Sequence, residues 1–172
     1  MQQTTTRHGS FEELELYRTA REFRKKMYRV AKSLPDTEKF VLNPQMRKAA
    51  LSVTNNIAEG HGRYHYADNI RFVLIARGSM SELVDDLNTC EDEGYLTPAE
   101  VAGLKAEAAS VMRLINGYIR YLRESKTGAN LGLREDSVPY RVNDDDLSWL
   151  DELLAESPIT DRGSPITHHP PP

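Results

Sequence analysis

The sequence predicts an all-α protein, an antiparallel up-and-down four-helix bundle with a flexible acidic C-terminal extension. Three observations predict it. Apolar residues recur at steps of three and four along four separate segments, the period of one helix face; paired strands would give a period of two. Helix start and stop residues punctuate those segments. The breaks between them are short, which makes consecutive helices antiparallel neighbours.

The first helix is predicted to start at Ser10, because Ser10 and Glu13 have the spacing of a capping box. Leu16, Ala20, Phe23, Met27, Val30 and Leu34 then form its stripe, and Pro35 ends it. The second helix opens with Asn43 as cap and Pro44 at the first helical position, where a missing N–H costs nothing. Met46, Ala50, Val53 and Ile57 are its buried stripe, and Gly60 and Gly62 stop it. The third runs from Tyr66–Asp68 to about Glu93. Ile70, Val73, Leu74, Met80, Leu83, Val84 and Leu87 make its apolar surface, with Phe72, Ala76, Ser79 and Leu83 as a second stripe that implies neighbours on two sides. Glycine inside a helix costs about 1 kcal/mol against alanine, so Gly78 is expected to mark a close helix approach. Gly94 closes the third helix. Thr97, Pro98, Ala99 and Glu100 open the fourth with a capping box, and Val101, Leu104, Ala108, Val111, Ile115, Tyr118 and Leu122 run along it, widened by Met112 and Ile119.

Residues 1–9 are expected to be disordered, 10–126 to form the bundle, and 127–172 to be linker and tail. In that tail residues 144–155 read as a short acidic helix, its Asp residues at the favourable N-terminal end. Leu147, Leu150 and Leu154 share one face beside Trp149, so this segment is a candidate docking site for a protein partner or for the bundle itself. The last residues repeat Ser-Pro-Ile-Thr and end in prolines, the chemistry of disorder.

A net charge of −4 over 172 residues hides a gradient. Residues 7–63 carry twelve Lys/Arg against seven Asp/Glu, 64–126 seven against ten, and 127–172 three against nine. That polarity suits an acidic partner or self-association. A single cysteine, Cys90, excludes an intrachain disulfide and fits a reducing compartment. Met1 to Ser10 lacks the apolar stretch of a signal peptide, and no apolar run approaches the ~20 residues of a membrane span. A cytoplasmic location without membrane contact is expected.

Catalytic chemistry is not expected. Di-iron bundles need Glu-x-x-His pairs, and none occurs. His61 and His65 are four apart, but Gly60 and Gly62 flank His61 and break the helix that would align them as metal ligands. Glu82, Asp85 and Asp86 have a spacing used by magnesium-dependent all-α nucleotide hydrolases, with Glu91, Asp92 and Glu93 further along. A solvated acidic face is the simpler reading of these charges. Cys90 reads as a small core residue. No phosphate loop or nucleophile elbow is present. No metal and no cofactor are expected.

A binding surface is the stronger candidate. Arg18, Arg21, Lys25, Arg29 and Lys32 follow helical steps along one face of the first helix, bordered by Tyr17 and Tyr28. Aligned cations beside aromatics suit a phosphate backbone. An ordinary solvated face has a similar look, and Glu22 sits at the edge of this one.

The most particular stretch runs from Arg47 and Lys48 through Ser52, Asn55, Asn56 and Ile57 to Glu59 and Gly60. It resembles the R-R-A-x-x-S-I-x-x-N-I-A-E-G stretch of a bacterial four-helix-bundle family encoded by intervening sequences within 23S ribosomal RNA genes, with relatives among diversity-generating retroelement accessory proteins. Arg63, Phe72, the Ala76/Gly78/Ser79/Glu82/Leu83 pattern, Gly94-Tyr95-Leu96 and the opening Phe11-Glu12-Glu13-Leu14 extend the resemblance over about residues 10–124. The resemblance implies a homo-oligomer, typically a pentameric ring with a central channel. It also implies a basic surface that engages RNA or an RNA–reverse transcriptase complex, without enzymatic activity. Arg47, Lys48 and Arg63 then join the first-helix cations as candidate RNA contacts. Independently of the family, Ser52, Asn56, Glu59 and Arg63 form a polar stripe beside the apolar one, which suits an interhelical or subunit seam. Asn56 is expected to bond across helices and Glu59 to pair with Arg63.

Overall fold

The computed structural model describes residues 10–128, which fold into α1 (Glu15–Ser33), α2 (Leu42–His61), α3 (Tyr66–Asp92) and α4 (Pro98–Gly128). Short 3-10 turns at Phe11–Glu13 and Asp36–Glu38 precede α1 and α2, and no strand occurs among the described residues. Each helix packs against its neighbours in sequence, and α1 meets α4 to close the bundle. The α2–α3 contact is the most extensive and α1–α4 the least.

Cross-helix contacts show the antiparallel arrangement directly. Gln45 reaches Asp86, Ser52 reaches Ser79, and Gly60 lies against Asn69, so positions on α2 rise as their partners on α3 fall. Asn43 and Ala31 pair α2 with α1 in the same sense as Thr54 and Arg24. Leu16, Ala20, Phe23 and Met27 of α1, Met46, Ala50, Val53 and Ile57 of α2, and Val73, Met80, Leu83 and Leu87 of α3 are buried together with Val101, Val111, Ile115 and Leu122 of α4. Burying one such side chain contributes roughly 1.5–3 kcal/mol, which is why the three-four spacing alone dictates this architecture.

Several sequence expectations are corrected. Ser10 caps the 3-10 turn, accepting a bond from the Glu12 N–H at 3.2 Å, and the predicted reciprocal box with Glu13 does not form. The helix proper starts at Glu15. After Met27 the buried stripe of α1 takes Ala31 in place of Val30 and Leu34, because the chain must turn toward α2 and Ala31 admits Asn43. Asn43 is no cap. It lies inside α2, which begins at Leu42, and its side-chain amide donates to the Ala31 carbonyl at 2.6 Å. Gly78 is not a close approach: it is exposed, and a Cβ there would meet nothing within 4 Å.

The close approach is at Gly60. A Cβ there would lie 2.7 Å from Asn69 Oδ1, 3.0 Å from the Asn69 carbonyl and 3.2 Å from Phe72 Cβ. The Thr97/Glu100 box forms as expected, the Thr97 N–H donating to Glu100 Oε2 at 2.8 Å and the Glu100 N–H to Thr97 Oγ1 at 3.3 Å. Gly94 takes φ +69°, and the Tyr95 and Gly94 N–H groups return to the Cys90 and Glu91 carbonyls, the paired bonds of a Schellman stop. The expectations for the N-terminal residues, the linker and the tail with Leu147, Trp149, Leu150 and Leu154 lie outside the described residues.

Candidate functional site

α1 turns its apolar stripe inward, which leaves Arg18, Arg21, Lys25, Arg29 and Lys32 exposed along the opposite face. They are not equivalent. Arg18 donates to the Glu13 carbonyl at 2.6 Å, and Lys25 pairs with Glu22 at 2.6 Å. The Lys25 hydrogen bond, joined by the charges of Lys25, Arg21 and Arg29, holds the Glu22 carboxyl below the usual carboxylate range. Arg21, Arg29 and Lys32 form no ion pair among the described residues.

The basic surface crosses to α2. The Arg47 guanidinium sits over the Tyr28 ring at 4.8 Å, and Lys48 beside it is exposed. A residue not singled out from sequence, Arg24, strengthens the crossing: it donates to Thr54 Oγ1 at 2.7 Å. Its signal was available, since Arg24 stands one turn from Tyr28 on the side of α1 that meets α2. Thr54, by contrast, looks like any apolar-face residue until its partner is placed.

Of the polar stripe on α2, Ser52 crosses to a neighbouring helix. Ser79 Oγ donates to Ser52 Oγ at 2.8 Å, which joins α3 to α2. Asn56 differs from expectation: its amide donates within its own helix, to the Ser52 carbonyl and hydroxyl at 2.8 and 3.0 Å. It thereby orients Ser52 instead of crossing the seam. Glu59 pairs with Arg63 one turn on, and the Arg63 guanidinium lies over the Phe72 ring at 4.7 Å. Asn55, Ala58, Glu59, Gly62 and Arg63 line an open depression on the outer side. Asn55, Gly78 and Glu82 are exposed.

The acidic cluster separates. Glu82 and Asp85 face solvent, but Asp86 is only 2% exposed, wedged between α3 and α2, which corrects the reading of a fully solvated face. Gln45 Nε2 donates to one carboxylate oxygen at 2.9 Å, and the other oxygen has no hydrogen-bond partner. Burial pushes Asp86 up to about 6, with Asp85 and Glu82 adding to the effect and Gln45 opposing it. The three carboxylates therefore do not share one environment. Among the described residues no three His, Cys, Asp or Glu groups are arranged to hold a metal. His61 ends α2 and His65 precedes α3, so they do not share a helix. Cys90 is fully buried, and burial pushes its thiol up to about 11. Among the described residues no helix is long and apolar enough to cross a membrane.

With this geometry in hand, the chain can be compared with known proteins. A family model described as 23S rRNA-intervening sequence protein matches residues 12–117. A crystal structure of a protein of unknown function from the S23 ribosomal protein family of Bacteroides thetaiotaomicron has a TM-score of 0.57 and 21% identity, covering 60% of this chain and 97% of that one. At that identity the likeness is one of fold. No curated protein matches.

Proposed function

This chain belongs to the 23S rRNA-intervening sequence protein family, and on that premise we propose that it is a non-enzymatic, RNA-associated bundle that works as a homo-oligomer. One observation carries the reading: the exposed cation surface of α1 continues onto α2 through Arg47 over Tyr28. Arg21, Arg29, Lys32 and Lys48 are exposed there without carboxylate partners among the described residues, so phosphates can neutralise them and release counterions. Self-association is supported by Asn55, Gly78, Glu82 and the 46%-exposed Ile75, which stand unpacked on the outer α2–α3 surface. A closed ring, of which a pentamer is the expected size, would repeat the basic face around its rim.

The test is an electrophoretic shift with RNA over a salt series, with mass in solution measured in parallel. Replacing Arg18, Arg21, Lys25 and Arg29 by Glu is expected to abolish retention while the oligomer mass stays the same. In single replacements, every phosphate that the protein no longer neutralises should lower the slope of log affinity against log salt by roughly 0.7–0.9. Retention that survives all four charge reversals would remove the basic face from the account.

A further inference from the structure

One end of the bundle carries a feature that neither the fold nor the α1 surface uses. There the four-residue connection between α2 and α3 meets the C-terminal half of α4. The local sequence, His61-Gly62-Arg63-Tyr64-His65-Tyr66, sets one Arg among four rings. Tyr64 is 95% exposed, and its ring touches His65 edge-on with centroids 5.1 Å apart. Nothing in the core explains a tyrosine there.

A second exposed ring stands on α4. Tyr121 is 60% exposed and stacks on Tyr118 at 6.2 Å, with the ring planes 20° apart. Tyr118 ties this pair to α3, accepting a bond from the Asn69 amide at 3.2 Å. Burial raises the Tyr118 phenol, and Tyr121 and then Tyr66 add to the effect, so Tyr66 lies within electrostatic reach. The Asn69 N–H in turn bonds the carbonyl of His65. The two exposed rings thus stand at the same end of the bundle, where the Asn69–Tyr118 bond joins α3 to α4.

The charge around them is predominantly basic. In α3 and α4, residues 66–80 and 113–125 carry five Arg against Asp68 and Glu124. The stretch at the other end, residues 81–107, carries eight Asp/Glu against Lys105. Arg71 and Arg120 are exposed without an ion pair among the described residues, and Arg63 is held in place over Phe72. Exposed rings beside exposed guanidiniums are the combination that binds unpaired nucleotides.

We propose that this bundle end is a second RNA contact, in which Tyr64 and Tyr121 stack on unpaired bases while Arg63, Arg71 and Arg120 meet the flanking phosphates. The proposal rests on the RNA reading above and deepens it. The α1 face takes the backbone of any RNA, whereas the tyrosine end discriminates single strands from duplex.

The experiment uses the full chain in fluorescence anisotropy with a short oligouridylate and with an RNA duplex of the same length. The double variant Tyr64→Ala/Tyr121→Ala is expected to bind the single strand about tenfold more weakly, the typical effect of removing base–aromatic stacks. Its duplex affinity and salt slope should not move, because no charge is removed. Tyr64→Phe/Tyr121→Phe keeps the rings and should bind the single strand as the parent does. Parental affinity for the single strand in the Ala variant overturns the proposal, as does an equal loss in the Phe variant. Should the parent bind duplex but not the oligouridylate, the tyrosine end fails and the α1 reading stands. Binding to neither RNA overturns both.

Discussion

Along α2 and α3, side chains interlock at three levels: Gln45 with Asp86, Ser52 with Ser79, and the bare backbone of Gly60 with Asn69. Between α1 and α4 the apolar stripes meet under one ion pair, Lys26 with Glu107, whose side chains are 39% and 42% exposed. Both seams close the same bundle. The first is specified by shape and hydrogen bonding, so sliding it by one turn would strand buried polar groups. The second relies on area burial, which is non-directional, and on a charge pair of the kind that contributes at most about 1 kcal/mol in water. The difference explains where the family's characteristic residues fall. Ser52, Glu59, Gly60, Phe72 and Ser79 all make contacts of the α2–α3 hairpin, so much of the motif encodes the register of two helices.

The largest expected effect comes from breaking the tighter seam. Gly60→Val should destabilise the protein by about 3 kcal/mol in urea unfolding, since Asn69 and Phe72 leave no room and overpacking forces the helices apart. A loss below about 1 kcal/mol would mean that the hairpin relaxes freely.

The same seam can be improved at Asp86, and pH reveals how. Its carboxyl titrates at about 6 in the fold against an ordinary value of 3.8. Below about pH 3 the group is protonated in both states and costs nothing. Between about pH 4 and 6 the unfolded chain ionises while the fold still holds the proton, so stability falls across that window and stays lower above it. Asp86→Asn should therefore raise stability by about 2 kcal/mol at pH 8 and give no gain near pH 3. A gain independent of pH would refute the ionisation account. The smallest effects complete the contrast: Ser79→Ala should cost about 1 kcal/mol by removing the hydrogen bond that joins α3 to Ser52, and Lys26→Ala less than about 0.5 kcal/mol. Equal losses from the two would erase the distinction between the seams.

The helices were legible because burial imposes a period, and a period survives without knowledge of neighbours. Signals written in backbone chemistry were legible too: the stops at Pro35 and Gly94 and the Thr97/Glu100 start of α4 act locally. The starts of α1 and α2 were less so. A polar residue three before a glutamate is as compatible with a 3-10 turn as with a helix, which is what Ser10 caps. The two glycines show a deeper limit. Gly60 and Gly78 both sit in helices, and only the approach of Asn69 and Phe72 makes one indispensable to packing and the other not. Asp86 was hidden for a similar reason, since its charge resembles that of Asp85 until α2 brings Gln45 to cover it. The α1 cations were plain as a helical face, whereas the role of Thr54 as partner of Arg24 and the tyrosine end needed the third dimension.

The short connection between α2 and α3 also orders events in time. The Gly60–Asn69 contact spans nine positions, the Ser52–Ser79 bond 27 and the Gln45–Asp86 bond 41, so each level shortens the search for the next. Lys26 and Glu107 are 81 positions apart. Closing that distance from an open chain costs about 2 kcal/mol more loop entropy than closing the first hairpin contact. The hairpin can zip from its glycine end before α1 and α4 find it. The chain's most specific seam is therefore also its cheapest to begin, and the least specific one closes last onto a template already in register.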